Sequence, residues 1–376
     1  MIPLNANLAP LKRSAIRVYT NLARQTPDCA MLTIGEPDFD TPEHIRQAAW
    51  AALQQGQTHY APNQGTQDLR EAIAAYETRR GNATSPREVL VTVGSSQALF
   101  TALLGILNPG EEVIVPVPAF SLYETIITVA GGKMVPLDIS ATDFQIDAAA
   151  LNRLITPRTK AIVLNSPNNP TGGILNRQSL EAVKQAVLGK PIFIVSDNVY
   201  NALSYDAPCP DLSLDGALKE QLLLCQSFSK PYAMTGWRLG YLVCPEYVME
   251  RLLLLSAGMI AAVPTFVQAA GVAALREDVA PMREVYRRRR DYVTARLDAM
   301  GLRYPQPQGA FYVFPDIRKF GLSSDAFCQR LIQQGKLAAV PGSCFGVEGF
   351  LRLSYCYREQ ELEKGMDRLE NFLATL

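Results

Sequence analysis

Four polar groups stand in the same relation to four short apolar runs. Ser95 and Ser96 follow residues 89–93, Asn169 follows 161–164, Asp197 follows 192–195 and Lys230 follows 222–225. Asp197 and Tyr200 are one helical turn apart, so both can face a bound aromatic ring. A carboxylate on a pyridine nitrogen keeps that nitrogen protonated and makes the ring an electron sink; a solvated aspartate is the alternative. Gly94-Ser95-Ser96-Gln97 joins an apolar run to a helical pattern. A glycine turn, two hydroxyls and free helix N–H groups suit a phosphate dianion, although a serine N-cap fits the same tetrapeptide. No G-x-G-x-x-G follows the run and no G-K-[ST] is present, so neither a dinucleotide site nor a P-loop is indicated.

Two arginines add anion chemistry. Arg238 in Trp237-Arg238-Leu239-Gly240 and Arg352 in Phe350-Leu351-Arg352-Leu353 lie in apolar, strand-like sequence. A guanidinium there needs an anion, and a carboxylate or phosphate matches its fork. A structural ion pair with Asp or Glu competes with that reading. Ser227-Phe228-Ser229-Lys230 and Ser196-Asp197-Asn198 also fit the S-x-x-K and S-D-N of serine acylases. Those enzymes place S-x-x-K first; here it comes second and no K-T-G exists.

The elements that position these residues follow from patterning. Apolar runs at 89–93, 113–115, 161–164, 192–195, 222–225 and 241–244 read as buried strands, and helical patterns such as 97–107, 121–130 and 177–188 separate most of them. Alternating strands and helices predict an α/β domain with a mostly parallel sheet covered on both faces. Ligands of such sheets bind outside the carboxyl ends of the strands, so the four polar groups should converge on one crevice. A helix is expected over 40–56, with Pro42 in its first turn and Gly56 past its end. The last third changes to a helix over 276–300 and short strands at 312–314, 337–340 and 350–354, a smaller α+β unit. The expected division is a large domain over 41–280 and a small one formed by 1–40 and 281–376.

Composition closes other routes. The chain of 376 residues has 36 Lys plus Arg against 36 Asp plus Glu, so no overall positive field attracts nucleic acid. With only His44 and His59, a histidine-rich metal site is not expected, and no metal is assigned. The seven cysteines form no C-x-x-C pair and read as buried reduced thiols of a cytoplasmic protein. No apolar signal region opens the sequence. The uncharged stretch 252–275 is broken by Ser256, Gly258 and Pro264, and predicts two buried helical pieces rather than a membrane span. The run Arg287 to Arg290, flanked by Glu284 and Asp291, reads as a solvated, ion-paired helix face.

The sequence resembles the fold-type I pyridoxal-phosphate enzymes, specifically the class I/II aminotransferases, over nearly its whole length. The resemblance rests on Thr33-Ile34-Gly35-Glu36-Pro37-Asp38-Phe39-Asp40-Thr41-Pro42, Ser166-Pro167-Asn168-Asn169-Pro170-Thr171-Gly172, Ser227-Phe228-Ser229-Lys230, Met234-Thr235-Gly236-Trp237-Arg238-Leu239-Gly240 and Leu351-Arg352-Leu353-Ser354-Tyr355. It implies pyridoxal 5′-phosphate as cofactor, Lys230 as the Schiff-base lysine and proton carrier, and Asp197 as partner of the pyridine nitrogen. Asn169 and Tyr200 would bond the ring O3′, and Ser95, Ser96, Ser227 and Arg238 would hold the phosphate. Phe120 would stack on the ring, Gly35 and Arg352 would hold the substrate carboxylate, and Tyr60 would reach the phosphate across a homodimer interface. Two positions depart from the commoner pattern: Phe120 replaces Tyr or Trp, and Asn198 stands where Glu often follows the aspartate.

The implied reaction is ping-pong transfer of an amino group between an L-amino acid and a 2-oxo acid, 2-oxoglutarate as acceptor. A carbon–sulfur β-lyase on the same scaffold is the enzyme alternative, and a non-catalytic cofactor-binding module the other; no basic patch supports the latter. Ala15-Ile16-Arg17, Asn21-Leu22, Thr33-Ile34-Gly35 and Pro341-Gly342-Ser343 look most like the enzymes acting on N-acetyl-diaminopimelate, with aspartate and aromatic aminotransferases sharing much of the pattern.

Overall fold

The computed structural model describes residues 2, 5–11 and 13–376. The parts of the expected N-terminal segment at Met1, Pro3, Leu4 and Lys12 lie outside the described residues.

A seven-stranded sheet forms the centre. Its order is Val89–Thr92, Gly240–Val243, Leu222–Ser227, Phe193–Asp197, Thr159–Asn165, Glu112–Val117 and Lys133–Asp138. Neighbours are parallel except Gly240–Val243, which runs antiparallel to both of its partners. Side chains alternate along each strand. Ile114, Ile162, Leu164, Leu222 and Leu224 enter one apolar core, while Val113, Val115, Ala161, Val163 and Leu223 enter another on the opposite face. Two buried faces explain why these strands read as continuous apolar runs. The edge strand Lys133–Asp138 escaped the sequence reading because only Leu137 is buried in it.

Register matters for the site. Asp197 lies beside Asn165 on one side and Cys225 on the other, and Ser227 lies beside Gly240. Asn165 and Asp197 are therefore level, and Ser227 stands two residues beyond them on the adjoining strand. Asp197 and Ser227 close their strands rather than following them.

A third core joins Tyr19, Ala23, Ala30 and Leu32 to Phe311, Phe327, Leu351 and Met366. There Ala30–Met31 pairs with Leu337–Ala338, and Leu351–Ser354 sits between Val340–Pro341 and Tyr312–Val313. Helices Ala280–Ala299, Ser324–Gln333 and Glu359–Leu373 cover these strands. The expected helix near 40–56 spans Glu43–Gln54, preceded by Pro42, and Gly56 follows with φ +72°.

The apolar stretch 252–275 divides between Glu246–Met259 and Thr265–Ala274, as its breakers implied. The first of these helices is not fully buried, since Leu254 is 66% exposed. Among the described residues no helix is long and apolar enough to cross a membrane. All seven cysteines are free, but only Cys225, Cys244, Cys328 and Cys356 are buried; Cys29, Cys209 and Cys344 are half-buried.

The arginine run needs correction. Arg287 does pair on the surface with Glu284 and Asp291. Arg289 and Arg290, however, are buried. Arg289 grips Asp38 at 2.7 and 2.8 Å and Glu359 at 3.1 Å, while Arg290 grips Asp206 at 2.7 Å and the Pro307 carbonyl at 3.3 Å. Arg290 also meets the adjacent Asp291 at 2.9 Å, as the local pattern implied, but Asp38, Glu359, Asp206 and Pro307 are remote in sequence and no local charge pattern reveals them.

Candidate active site

At the carboxyl ends of the strands lies a cavity of about 220 Å³. Gly35, Ser95, Ser96, Phe120, Asn169, Asp197, Tyr200, Ser227, Lys230, Arg238 and Arg352 all line it. Tyr60 does not: it is 91% exposed, in a loop pinned elsewhere by hydrogen bonds from Thr265 to the His59 carbonyl and from Asn63 to the Ala261 carbonyl.

Asp197 is 4% exposed. Its Oδ2 accepts the Tyr123 hydroxyl at 2.6 Å, and the Asn165 amide donates to its backbone carbonyl at 2.8 Å. Among the described residues its Oδ1 has no hydrogen-bond partner. Burial pushes this carboxyl up to about 6, against the opposing pull of Tyr123 and the Val199 N–H. An orphaned, desolvated carboxylate oxygen is costly unless a donor arrives, and a protonated ring nitrogen is such a donor.

The helix Gly94–Ile106 begins in the cavity wall with Ser95 and Ser96 in its first turn, three residues earlier than the pattern suggested. No side chain caps it; Gln97 bonds the Val93 N–H behind it at 2.6 Å. Its first N–H groups and two hydroxyls are thus presented to an anion. Gly94 adopts φ +68°, and a Cβ there would meet Arg238 Nη2 at 2.7 Å. On the other side a Cβ on Gly240 would come within 2.7 Å of the Ser95 nitrogen. Two glycines let the arginine and the helix end approach each other. Arg238 itself is not in strand sequence as expected: it is exposed, in a left-handed turn after Thr235–Trp237, and donates to the Thr235 carbonyl at 2.9 Å.

Lys230 Nζ donates to the Gly35 carbonyl at 2.6 Å. Burial lowers its pKa to about 8, and the positive charges of Arg238 and Arg352 act in the same direction. Arg352 is 1% exposed; Nη1 donates to Asn169 Oδ1 at 2.8 Å and Nη2 to the Thr33 carbonyl. Among the described residues its Nε has no partner and no carboxylate pairs with it. The ion-pair alternative is therefore not realised. Its guanidinium lies 4.6 Å from the Tyr312 ring centroid, and the Tyr312 and Tyr200 hydroxyls are 2.8 Å apart. Phe120 is half-buried, edge-on to Tyr123 at 6.1 Å. Asn198 is turned into the sheet, accepting from Ser196 at 2.8 Å and donating to Asp211 at 2.6 Å. A carboxylate at position 198 would face Asp211 directly, which accounts for an amide there.

Sequence reasoning missed Tyr123, Asn165 and Tyr312. Tyr123 had a faint signal, one helical turn beyond Phe120; Tyr312 had none.

This fold and this cavity define an aminotransferase-type enzyme of the pyridoxal-phosphate class, and comparison with known proteins agrees. The family "Aminotransferase class I and II" matches residues 27–369. The chain is 40% identical to aromatic-amino-acid aminotransferase 2 of Thermococcus litoralis, covering 98% of each chain. It is 38% identical to a probable N-acetyl-LL-diaminopimelate aminotransferase of Bacillus subtilis, covering 98% of this chain and 95% of the other. The solved aspartate aminotransferase of Thermus thermophilus with maleate superposes with TM-score 0.94 at 38% identity, over 99% of this chain and 100% of that one. The chain belongs to the class I and II aminotransferases, and its cofactor is pyridoxal phosphate. The orphaned Asp197 oxygen and the uncapped Gly94–Ile106 helix fit that cofactor's ring nitrogen and phosphate.

Proposed function

We propose that the chain exchanges an amino group between an L-amino acid and a 2-oxo acid, with 2-oxoglutarate as acceptor and Lys230 as the covalent anchor of the cofactor. The observation that carries this reading is the unpartnered Asp197 Oδ1 in the same cavity as Lys230 and Arg352. Pyridoxal phosphate supplies, when bound, a protonated ring that stabilises negative charge at the substrate α-carbon.

The chain's own residues do the rest. Asp197 keeps the ring nitrogen protonated, and Asn169 and Tyr200 hold the ring oxygen. Ser95, Ser96, Ser227 and Arg238 bind the phosphate while Phe120 covers the ring face. Gly35 and Arg352 hold the substrate α-carboxylate. Lys230, among the described residues the one amine lining the cavity between Gly35 and the strand ends, would remove the proton at the substrate Cα and return it to C4′ of the cofactor. A pKa near 8 rather than the ordinary 10.5 keeps a useful fraction of its amine unprotonated at neutral pH.

For the donor we favour N-acetyl-diaminopimelate over aspartate and aromatic amino acids, on the N-terminal pattern around Ile16, a residue of the cavity wall. The exposure of Tyr60 on a pinned loop supports its reaching the phosphate of a second copy, with a homodimer as the working unit. The separate core uniting residues near Tyr19 and Leu32 with the C-terminal third supports a small domain of 1–40 and 281–376 beside a large one of 41–280. Seven unpaired thiols support a cytoplasmic location.

Mixing the holoenzyme separately with N-acetyl-diaminopimelate, aspartate and an aromatic amino acid, without acceptor, tests the reading. The true donor bleaches the visible cofactor band, and 2-oxoglutarate restores it. Release of pyruvate from cystathionine without bleaching by any donor would instead make the enzyme a β-lyase.

A further inference from the structure

Tyr312 is 2% exposed, on the short strand Tyr312–Val313 that pairs with Leu351–Ser354, the strand of Arg352. Its ring face carries the Arg352 guanidinium at 4.6 Å, and its hydroxyl meets that of Tyr200 at 2.8 Å. A Cβ on Gly35 would stand 1.8 Å from the Tyr312 hydroxyl oxygen. Position 35 must therefore be glycine for the loop to close on this ring while its carbonyl accepts from Lys230 at 2.6 Å. One side chain thus touches the carboxylate-binding arginine, the ring-facing tyrosine and the loop that holds the lysine.

We propose that Tyr312 is a positioning residue of the transfer reaction: its ring aims Arg352 at the substrate carboxylate, and its hydroxyl donates to Tyr200. This rests on the roles proposed above for Arg352 and Tyr200. A phenol has one proton to give. If Tyr200 commits its proton to the cofactor's ring oxygen, its own oxygen must accept one, and Tyr312 is the group placed to supply it. Bonds in such a chain polarise one another, so the second strengthens the first. The ring acts separately, because a desolvated cation over an aromatic face is held in place by the ring quadrupole.

Two variants of the holoenzyme test the two halves. Tyr312→Phe keeps the ring and removes the hydroxyl. The pH midpoint of the visible cofactor band should rise by roughly half a unit to one unit, since the anionic ring oxygen loses support, while KM stays near that of the parent. Tyr312→Leu removes the ring, and KM for donor and acceptor should rise roughly 30-fold with a smaller change in kcat. An unmoved midpoint in the Phe variant overturns the hydroxyl role. Unchanged KM values in the Leu variant, even with a lower melting temperature, overturn the ring role and leave Tyr312 a packing residue. If the parent's visible band does not depend on Lys230 at all, the site roles fail and this inference fails with them.

Discussion

The strand holding Arg352 and the helix holding Arg289 both bury a guanidinium in the C-terminal third, yet they furnish it differently. Arg289 meets Asp38 through two short bonds and Glu359 through two longer ones. Among the described residues Arg352 meets only neutral acceptors, the Asn169 amide oxygen and the Thr33 carbonyl, and leaves Nε without a partner. Hydrogen bonds to neutral groups orient a cation without cancelling its charge. A buried arginine neutralised by carboxylates is a structural tie, whereas one that is oriented but not neutralised is free to take an anion, the role proposed for Arg352 towards the substrate carboxylate.

The comparison breaks most visibly at Arg352. Arg352→Ala should lower kcat/KM of both half-reactions by roughly 30-fold to several thousandfold, the equivalent of about 2–5 kcal/mol, with cofactor binding largely kept. Destabilisation without that catalytic loss would make Arg352 another structural tie. Arg289→Ala should do the reverse. Losing one side of a buried pair costs about 3 kcal/mol when the partners keep some solvent, as Asp38 and Glu359 do here. The melting temperature should fall by several degrees while KM stays close to that of the parent. Arg287→Ala, on the solvated side of the same helix, should change stability by less than about 0.5 kcal/mol.

A smaller effect tests the orphaned carboxylate through pH. Burial raises Asp197 in the ligand-free chain from 3.8 to about 6. Between those values the folded state binds more protons than the unfolded state, so Asp197 makes stability fall as pH rises through this window, and the cost is fully present above it. Asp197→Asn removes the titration. The ligand-free variant should be more stable than the parent at pH 8 by about 3 kcal/mol, and the gap should close as pH falls towards 4. Equal melting at both pH values would mean that Asp197 carries no such burden.

Much of the large sheet was legible because its strands are buried on both faces, and parallel order places consecutive strand ends at one level. Ser95, Ser96, Asn169, Asp197 and Lys230 could be read together for that reason, whereas the role of Ser227 came through motif resemblance. Where burial or direction departs from the rule, reading failed. The largely solvent-facing Lys133–Asp138 strand carries no continuous apolar run to mark it, and the antiparallel Gly240–Val243 strand was indistinguishable from its parallel neighbours. In the smaller unit the decisive contacts join distant residues. Arg289 and Asp38 are 251 residues apart, and Tyr200 and Tyr312 are 112 apart. No local period encodes such pairs, so Arg289 read as solvated and Tyr312 passed unnoticed. The roles of Asn169 and Arg352 came through motif resemblance, while the bond between them appeared only in three dimensions.

The central claim is that Lys230, held against the Gly35 carbonyl in the strand-end cavity, is the residue bound by the cofactor. Borohydride reduction of the holoenzyme followed by peptide mapping tests it directly. The account predicts a single phosphopyridoxyl label on Lys230, absent in Lys230→Ala. A label on any other lysine, or a Lys230→Ala protein that keeps both label and transamination, would contradict it.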